Sequence, residues 1–443
     1  MCSWLRRGAA GCAVGALALL PAPRSQARPV LANPLMAWAM PGHDPQRTAQ
    51  GTGLGPRHAS TPRLVLKGLY SNPPIVGSDG ALYGFLDIGT RHARVAAVEP
   101  GGHVRWSATA ALPGWWNSEP PDPYPVLAHT GAVSFGGGAC PRPLSSDYSG
   151  TAECLTTVGP DGRPRGHVIT YGLTKGGPRL LVAPDGALVR ATIGPYSGFT
   201  GAEAADDAQR NVTVFAPDGS SRRLGAGCAW ANTALGVDGT LYAATLAARE
   251  RQACLPANLQ RGQSSSIVVA FAPTGARIWA APLPAECEAA TLAADRGRVY
   301  ISASCAGARV FALDAHGRVL WTVHGTGGGY PALAVDRAGG DLWLADVAGV
   351  KRVTPTGAVR WWRAWRPAAG DRVTLSLDAG GAAYMCGGDG RLRALGPDGQ
   401  VLWQRRLPAP RYGFTAPPST AIGPDGTLFI SGADERGIIG FAP

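Results

Sequence analysis

The stretch from Arg372 to Trp403, RVTLSLDAGGAAYMCGGDGRLRALGPDGQVLW, consists of four short apolar runs separated by turns that contain glycine. Each run is about six residues long, which is the usual length of a β-strand. The Asp-Gly pairs supply the positive backbone φ that a tight turn between antiparallel strands needs. The stretch therefore predicts four antiparallel strands joined by tight turns.

The last strand of this stretch recurs along the chain as an apolar run that ends in a tryptophan. Copies end at Trp106, Trp279, Trp321, Trp361 and Trp403, and the last four are 42, 40 and 42 residues apart. A second recurring run, such as GVDGTLYA, alternates with the first, so each repeat holds two hairpins. Four strands at a period of about 40 residues are typical of a propeller blade. Because the tryptophans recur at equivalent positions, we expect them to pack between neighbouring blades.

Eight such units can be counted from the turns, and the eighth supplies only three strands before residue 443. A lone short run that contains Trp38, LMAWAM, precedes the first repeat. We expect this run to pair with the last strand, which would close the ring, and we expect Trp38 to join the blade packing. The predicted fold is all-β: an eight-bladed β-propeller of four-stranded antiparallel blades, the last closed by the N-terminal strand, in a single domain over residues 36–443.

The first 27 residues have the layout of a secretory signal peptide. Arg6 and Arg7 form a basic start, an apolar run extends from Cys12 to Leu20, and small residues allow cleavage after Ala27 or as late as Ala32. The apolar run is too short to span a bilayer, and no other segment reaches about 18 apolar residues. We therefore expect a mature monomer outside the cytoplasm, periplasmic or secreted, without a transmembrane segment.

Removal of this signal would lower the formal net charge from +11 to +8, because it takes away three arginines and no acid. The remaining basic residues are scattered singly through the repeats. A nucleic-acid site would need such charges clustered with aromatic side chains. The sequence therefore predicts no nucleic-acid partner.

The chain resembles a known family at the start WAMPGHDPQRTAQGTGLGP and in its repeats of the form DG-x-L-Y and L-x-P-D-G-x-V-L-W. Both are similar to proteins with β-propeller repeats of the pyrroloquinoline-quinone (PQQ) type, and the resemblance covers roughly residues 36–443. It implies the propeller fold but not one function, because the family contains quinone-dependent alcohol and sugar dehydrogenases, a lipoprotein that assists outer-membrane protein assembly, and secreted members without quinone.

The sequence lacks the residues that the resemblance would require for quinone chemistry. The dehydrogenases of this family use an adjacent Cys-Cys disulfide, a tryptophan beneath the cofactor, and calcium beside a catalytic aspartate. No Cys-Cys pair and no Asp-rich calcium loop occur in this chain, and eight of its 22 aspartates directly precede a turn glycine. We therefore predict no catalytic residues, no cofactor and no metal. Paired carboxylates for glycoside cleavage stay open, since such residues can be distant in the chain.

Seven cysteines remain after the signal, and disulfides are the default for an exported protein. Propeller topology would place three pairs within reach: Cys140 with Cys154, Cys228 with Cys254, and Cys287 with Cys305. Cys386 is expected to be a free, partly buried thiol.

Long insertions between the second and third strands of repeats two to four should lie on one face of the ring, together with the blade-entering loop LPGWWNSEPPDPYP. Loops on a rigid scaffold are where recognition usually occurs. Trp115, Trp116, Tyr196 and Phe199 are the candidate binding residues in these segments. We therefore expect an exported binding or scaffold protein that recognises a protein or envelope partner. The alternatives are a quinone-dependent dehydrogenase and a carbohydrate-binding or envelope-assembly propeller.

Overall fold

The fold was determined from a computed structural model of the chain. It describes residues 38–44, 46–87, 93–110, 125–138, 152–171, 179–191, 211–226, 228, 230–245, 265–365, 373–387, 389–408, 418–432 and 437–443. Regular structure in these residues is entirely β-strand, in 32 strands. Within the described part of the chain, no helix has the length and apolar character that a membrane crossing needs.

The first four blades follow each other along the chain, each with its innermost strand first. Blade 1 is β2 to β5 (Tyr70–Val76, Leu82–Leu86, Arg94–Val98, Val104–Thr109). Blade 2 is β6 to β9 (Val126–Leu127, Val133–Gly138, Ala152–Val158, Pro164–Tyr171). Blade 3 is β10 to β13 (Arg179–Val182, Leu188–Ala191, Val212–Phe215, Ser221–Leu224). Blade 4 is β14 to β17 (Trp230–Leu235, Leu241–Thr245, Ile267–Phe271, Arg277–Pro282).

The remaining blades complete the ring in the same order. Blade 5 is β18 to β21 (Glu288–Asp295, Arg298–Ser304, Ala308–Leu313, Val319–His324). Blade 6 is β22 to β25 (Ala332–Val335, Leu342–Asp346, Gly349–Val353, Val359–Ala364). Blade 7 is β26 to β29 (Val373–Leu377, Ala383–Gly387, Arg391–Leu395, Val401–Arg406). Blade 8 combines β30 to β32 (Ser419–Ile422, Leu428–Ser431, Gly437–Phe441) with β1 (Arg63–Lys67) from the start of the chain.

Every blade is a four-stranded antiparallel sheet, and the predicted eight-bladed propeller is confirmed. Closure of the last blade by an N-terminal strand is also confirmed, but a segment other than the expected run LMAWAM supplies that strand. Arg63 in β1 pairs with Gly440 in β32, so residues 63–67 supply the missing fourth strand. Trp38, from the run LMAWAM, instead forms an isolated bridge to Val76 in the innermost strand of blade 1. The physical reason is burial. The closing strand lies at the outer edge of blade 8, whereas Trp38 is 2% exposed and packs against the innermost strand of blade 1.

The repeat tryptophans link consecutive blades. Trp361, in the outermost strand of blade 6, donates from its indole nitrogen to the carbonyl oxygen of Pro397 in blade 7 at 3.0 Å. A Cβ added at Gly399, whose φ is +83°, would lie 2.7 Å from the same indole ring. Trp321 and Trp279 make the same contact with the following blade, to Pro355 and Ala315 at 2.9 and 2.8 Å. The turn glycine thus gives the tight turn and also leaves space for the indole of the preceding blade.

Trp106 packs in the same way. Its ring lies beside Gly162 of blade 2, and the ring centroid is 6.2 Å from that of Tyr83 in its own blade. Trp403, in blade 7, has no following turn of this kind, because the corresponding strand of blade 8 comes from the other end of the chain. It donates instead to the carbonyl oxygen of Pro56 at 2.8 Å. The segment Leu54-Gly55-Pro56 therefore takes the place that Leu395-Gly396-Pro397 has for Trp361.

Candidate functional site

Residues 38–44 and 46–51, which we call the N-terminal plug, lie across one end of the central channel. Backbone hydrogen bonds of 2.7–2.9 Å join the plug to the innermost strands of blades 1, 2, 5, 6 and 7, through Val76, Leu127, Ala294, Val335 and Leu377. The Arg47 Nε donates to the carbonyl oxygen of Thr233 in blade 4. The five residues of blades 1, 2, 5, 6 and 7 lie at or next to the C-terminal end of their strands, and Thr233 lies two residues before the end of its strand. The plug therefore closes the end of the channel at which the first and second strands of each blade are connected.

Asp44 holds the plug in its folded form. It is 4% exposed, and its carboxylate accepts hydrogen bonds from the backbone N–H of Thr48 at 3.0 Å and from the Thr48 hydroxyl. Nη2 of Arg337, in the first turn of blade 6, lies 2.5 Å from Asp44 Oδ2, and Nδ1 of His43 lies 2.9 Å from it. Burial alone would raise the pKa of Asp44, but Arg337, His43 and Thr48 together lower it from 3.8 to about 2. Asp44 is therefore a buried carboxylate that stays ionised.

The backbone of the plug is strained. His43, Arg47 and Ala49 have φ values of +77°, +56° and +54°, a region that side-chain-bearing residues rarely adopt. Such conformations cost about 1–3 kcal/mol each and persist only where surrounding contacts impose them. Here the contacts come from the ring of inner strands. Arg47 is 8% exposed, and its guanidinium donates to the carbonyl oxygens of Thr233 and Pro41.

The chain leaves the plug between blades 7 and 8 along a narrow path. Asp378, fully buried in blade 7, accepts from the backbone N–H of Gly55 at 2.9 Å and pairs with Arg57 at 2.9 Å. A Cβ at Gly53 would lie 2.2 Å from the carbonyl oxygen of Gly423 in blade 8. Only a residue without a side chain can pass there. This path carries the chain outward to β1 on the rim.

A cavity of about 240 Å³ lies in the channel directly above the plug. Its floor is formed by Trp38, Pro41, Gly42, Arg47 and Ala49, and its walls by the innermost strands of blades 1 and 4 to 8. The walls combine apolar side chains, such as Leu333 and Leu375, with hydroxyl and amide groups, such as Thr291 and Asn232. This is a small concave site whose floor carries a buried guanidinium.

The strands that flank three of the predicted recognition segments end on the opposite side of the ring. β7, β11 and β15 end, and β8, β12 and β16 begin, at the end of the blades away from the plug. Trp115, Trp116, Tyr196 and Phe199 lie outside the described residues, so their place on that face stays a prediction. The channel cavity and its plug were not anticipated from the sequence at all.

The structure describes some of the predicted cysteine pairings. Cys287, just before β18, and Cys305, just after β19, form a disulfide with their Cα atoms 4.2 Å apart. Cys228 is also disulfide-bonded, but Cys254 and Cys140 lie outside the described residues, so the two pairings that involve them stay predictions. Cys386 is a free thiol, fully rather than partly buried, and burial raises its pKa to about 12.

The residues of the channel do not fit the quinone and calcium site of a dehydrogenase. Calcium requires several oxygen ligands, commonly carboxylates. None of the described residues that line the cavity is acidic, and nowhere in the described ranges do three His, Cys, Asp or Glu side chains converge. The chemistry that the lining does support is recognition by one cation, neutral hydrogen-bonding groups and apolar walls.

A family model and the solved structure of BamB agree with this architecture. The model of a PQQ repeat family described as "Outer membrane protein assembly factor BamB" matches residues 264–439, from just before β16 in blade 4 into β32 in blade 8. The crystal structure of BamB from Moraxella catarrhalis is 13% identical, with a TM-score of 0.51, over 86% of this chain and 98% of that chain. A streptogramin B lyase structure is 12% identical, with a TM-score of 0.46, over 86% of this chain and 96% of its own. No curated protein sequence matches significantly.

Proposed function

Because this chain is a β-propeller protein built from PQQ-like repeats, we propose that it acts outside the cytoplasm as a binding or scaffold protein. It recognises a protein partner through the face opposite the N-terminal plug. The observation that carries this proposal is the plug itself. It closes one end of the channel with hydrogen bonds to six blades, while the second strands of blades 2 to 4 end, and their third strands begin, at the other end.

Assembly of the bacterial envelope is the more specific form of this function. It is supported by the family model at residues 264–439, whose description names an outer-membrane assembly factor. The Cys287–Cys305 disulfide supports an oxidising compartment, since such bonds are rare in the cytosol.

Affinity capture from envelope extracts tests the proposal. The immobilised mature chain is compared with Trp115→Ala and Trp116→Ala, and with Trp362→Ala as the matched control. Trp362 is 61% exposed on the outermost strand of blade 6, away from the proposed face. We expect specific proteins to be retained by wild type and Trp362→Ala and to be lost with at least one of the other two variants.

Three outcomes would contradict this. Capture that all four proteins share would mean that the tryptophans of the predicted face are not involved. Binding in a glycan screen without protein capture would favour the carbohydrate-binding alternative. Dye-linked alcohol or sugar oxidation after addition of the quinone and calcium would favour the dehydrogenase.

A further inference from the structure

The fold distributes acidic side chains unevenly between the two ends of the ring. The first and third strands of each blade run toward the plug, so the turns that follow them lie at the plug end. Many of these turns contain an aspartate that accepts a backbone N–H of its own turn: Asp161, Asp185, Asp218, Asp238, Asp314, Asp378, Asp398 and Asp425. At the other end, which we call the open end, the acids in the described part of blades 6 and 7 are Asp346 and Asp389.

Both acids of the open end are already engaged. Asp346 is 1% exposed and accepts from the backbone N–H groups of Gly327 and Ala348, each at 3.0 Å. Asp389 lies 2.5 Å from Nη2 of Arg393, which it pairs with four residues along the chain. Any further positive charge at this end of blades 6 and 7 therefore has no acid of the described residues left to neutralise it.

Three further arginines do lie there. Arg363 is near the end of β25, Arg391 begins β28 and Arg406 ends β29, and all three strand ends are at the open end. Each side chain is exposed and forms no ion pair with another residue in the described ranges. We call these three residues the arginine cluster. In the sequence they are far apart, and only the fold brings them to one end of two neighbouring blades.

Arg363 is on the face of blade 6 that is turned toward blade 7. The Trp361 indole donates to the Pro397 carbonyl oxygen of blade 7 at 3.0 Å, and the guanidinium carbon of Arg393 in blade 7 lies 5.2 Å from the centre of the Trp365 ring. Arg363 is two residues from each of these tryptophans. Since side chains alternate along a strand, Arg363 shares their face.

Arg391 and Arg406 are on the facing side of blade 7. Arg391 is two residues from Arg393 and so shares its face of β28, and Arg406 is the direct partner of Arg391 across the ladder between β28 and β29. Cβ atoms of such directly opposite partners are about 4.5–5.5 Å apart, and like charges in these positions destabilise a sheet. An anion bound at the pair would remove that cost.

The distribution of apolar side chains indicates a polypeptide rather than a membrane as the source of the anion. Surfaces that lie on a bilayer combine basic residues with apolar side chains that enter the lipid. In the described outermost strands of blades 4 to 7, the exposed aliphatic side chains are instead near the strand starts, at the plug end: Ile278, Val319, Leu320, Val359 and Val401. Trp362, the exposed tryptophan of β25, is on the opposite face of that strand from Arg363.

We propose that the arginine cluster binds an acidic segment of a protein partner. Carboxylates of neighbouring acidic residues in that segment pair with Arg363 on one side and with Arg391 and Arg406 on the other, because the planar guanidinium matches a carboxylate in two parallel hydrogen bonds. The proposal rests on the proposed function in that the partner is a protein bound at the face opposite the plug. It adds the chemistry of that partner and a contact region in blades 6 and 7.

The test measures binding of fluorescently labelled octaglutamate to the full mature chain by fluorescence anisotropy. The ionic strength is about 0.15 M, at which exposed charges more than about 8 Å apart are largely screened. Octaglutamine is the neutral control peptide. The variants are Arg391→Gln/Arg406→Gln and Arg363→Gln. The matched control is Arg63→Gln/Arg318→Gln, because both of its arginines are exposed at the plug end and the change in net charge is the same as in the first variant.

We expect octaglutamate to bind to wild type and octaglutamine not to bind. Arg391→Gln/Arg406→Gln should bind octaglutamate at least about tenfold more weakly, which corresponds to about 1.4 kcal/mol. Arg363→Gln should also bind it more weakly than wild type, and Arg63→Gln/Arg318→Gln should bind it like wild type. Removal of the facing pair should not lower the melting temperature measured by circular dichroism, since like charges are removed. Weaker binding can then not be attributed to unfolding.

The proposal is overturned if octaglutamate does not bind, or if the control variant weakens binding as much as Arg391→Gln/Arg406→Gln. Phosphatidylglycerol vesicles and oligothymidylate are tested in parallel. Tighter binding of either than of octaglutamate, lost in Arg391→Gln/Arg406→Gln, would assign the arginine cluster to a membrane or to nucleic acid and overturn the proposal as well. Because the peptide is pure, its binding supports the proposal even if envelope capture fails, and its absence overturns the proposal even if capture succeeds.

Discussion

Replacement of Asp44 by asparagine should show how much the charge of this carboxylate, apart from its hydrogen bonds, contributes to the stability of the fold. The side chains are nearly isosteric, and asparagine can still accept from Thr48. What is lost is the negative charge that pairs with Arg337; against the effect of burial, Arg337, His43 and Thr48 lower the Asp44 pKa from 3.8 to about 2. A shift of this size corresponds to about 2 kcal/mol of stability near neutral pH.

The pH dependence gives the sharper test. A carboxylate whose pKa is lower in the folded state contributes stability that is complete above its unfolded value of 3.8 and is lost as the pH falls through its folded value of about 2. For about 400 folded residues at roughly 2.1 cal/mol/K each, 2 kcal/mol corresponds to a Tm change of about 2–3 °C. We expect Asp44→Asn to melt lower than wild type by that amount at pH 6, and the gap to be roughly halved at pH 3.

Differential scanning calorimetry across this range measures both melting curves. Asp398→Asn is the matched control, since Asp398 caps an exposed turn through the backbone N–H of Gln400 at 3.2 Å. Its melting temperature should stay within about 1 °C of wild type, because surface changes seldom exceed about 0.5 kcal/mol. A gap between wild type and Asp44→Asn that is absent at pH 6, or that does not narrow on acidification, would refute the reasoning.

Three further outcomes are expected. Trp361→Ala should destabilise the fold by about 2–3 kcal/mol in thermal melts because it leaves a gap between blades, while Trp362→Ala, its exposed neighbour, should change stability by less than about 0.5 kcal/mol; equal effects would contradict the packing role. Gly53→Ala should cost about 1–3 kcal/mol through the clash on the path to the rim, whereas Gly101→Ala, with open space around it, should not, and a neutral Gly53→Ala would show that the path is loose. Cys386, buried and with its pKa raised to about 12, should react with a thiol reagent only after unfolding; labelling of the native protein would contradict its burial.

The blades could be predicted from the sequence because each repeat contains its own turn residues and packing residues. A turn glycine with positive φ, such as Gly399, and a tryptophan about one period earlier recur together, since each indole needs the open space of the next turn. That pairing produces a visible period. The same reasoning missed β1, because RLVLK has no turn glycine and no tryptophan, whereas LMAWAM resembles a repeat strand more closely.

The plug and the cavity could not be predicted in this way. The contacts of Asp44 with Arg337 and of Gln50 with Asp378 join residues about 300 positions apart and follow no repeat. The backbone of the plug is irregular, with His43 and Arg47 at positive φ, so no strand or helix pattern marks it. The one available signal was the cluster of polar residues in GHDPQRTAQ, most of which turn out to be buried.

The pairing of β1 with β32 has a consequence for the order of folding. Blades 1 to 7 are made of hairpins whose strands are close in sequence, so each can form as soon as its own residues are available. Arg63, by contrast, meets Gly440 only after the rest of the chain has been synthesised. A chain that is cut short near its C-terminus would keep the edge of β1 unpaired, and such edges promote aggregation and invite proteolysis. Closure of the ring therefore requires a chain that extends through β32, and shorter chains do not reach the stable form.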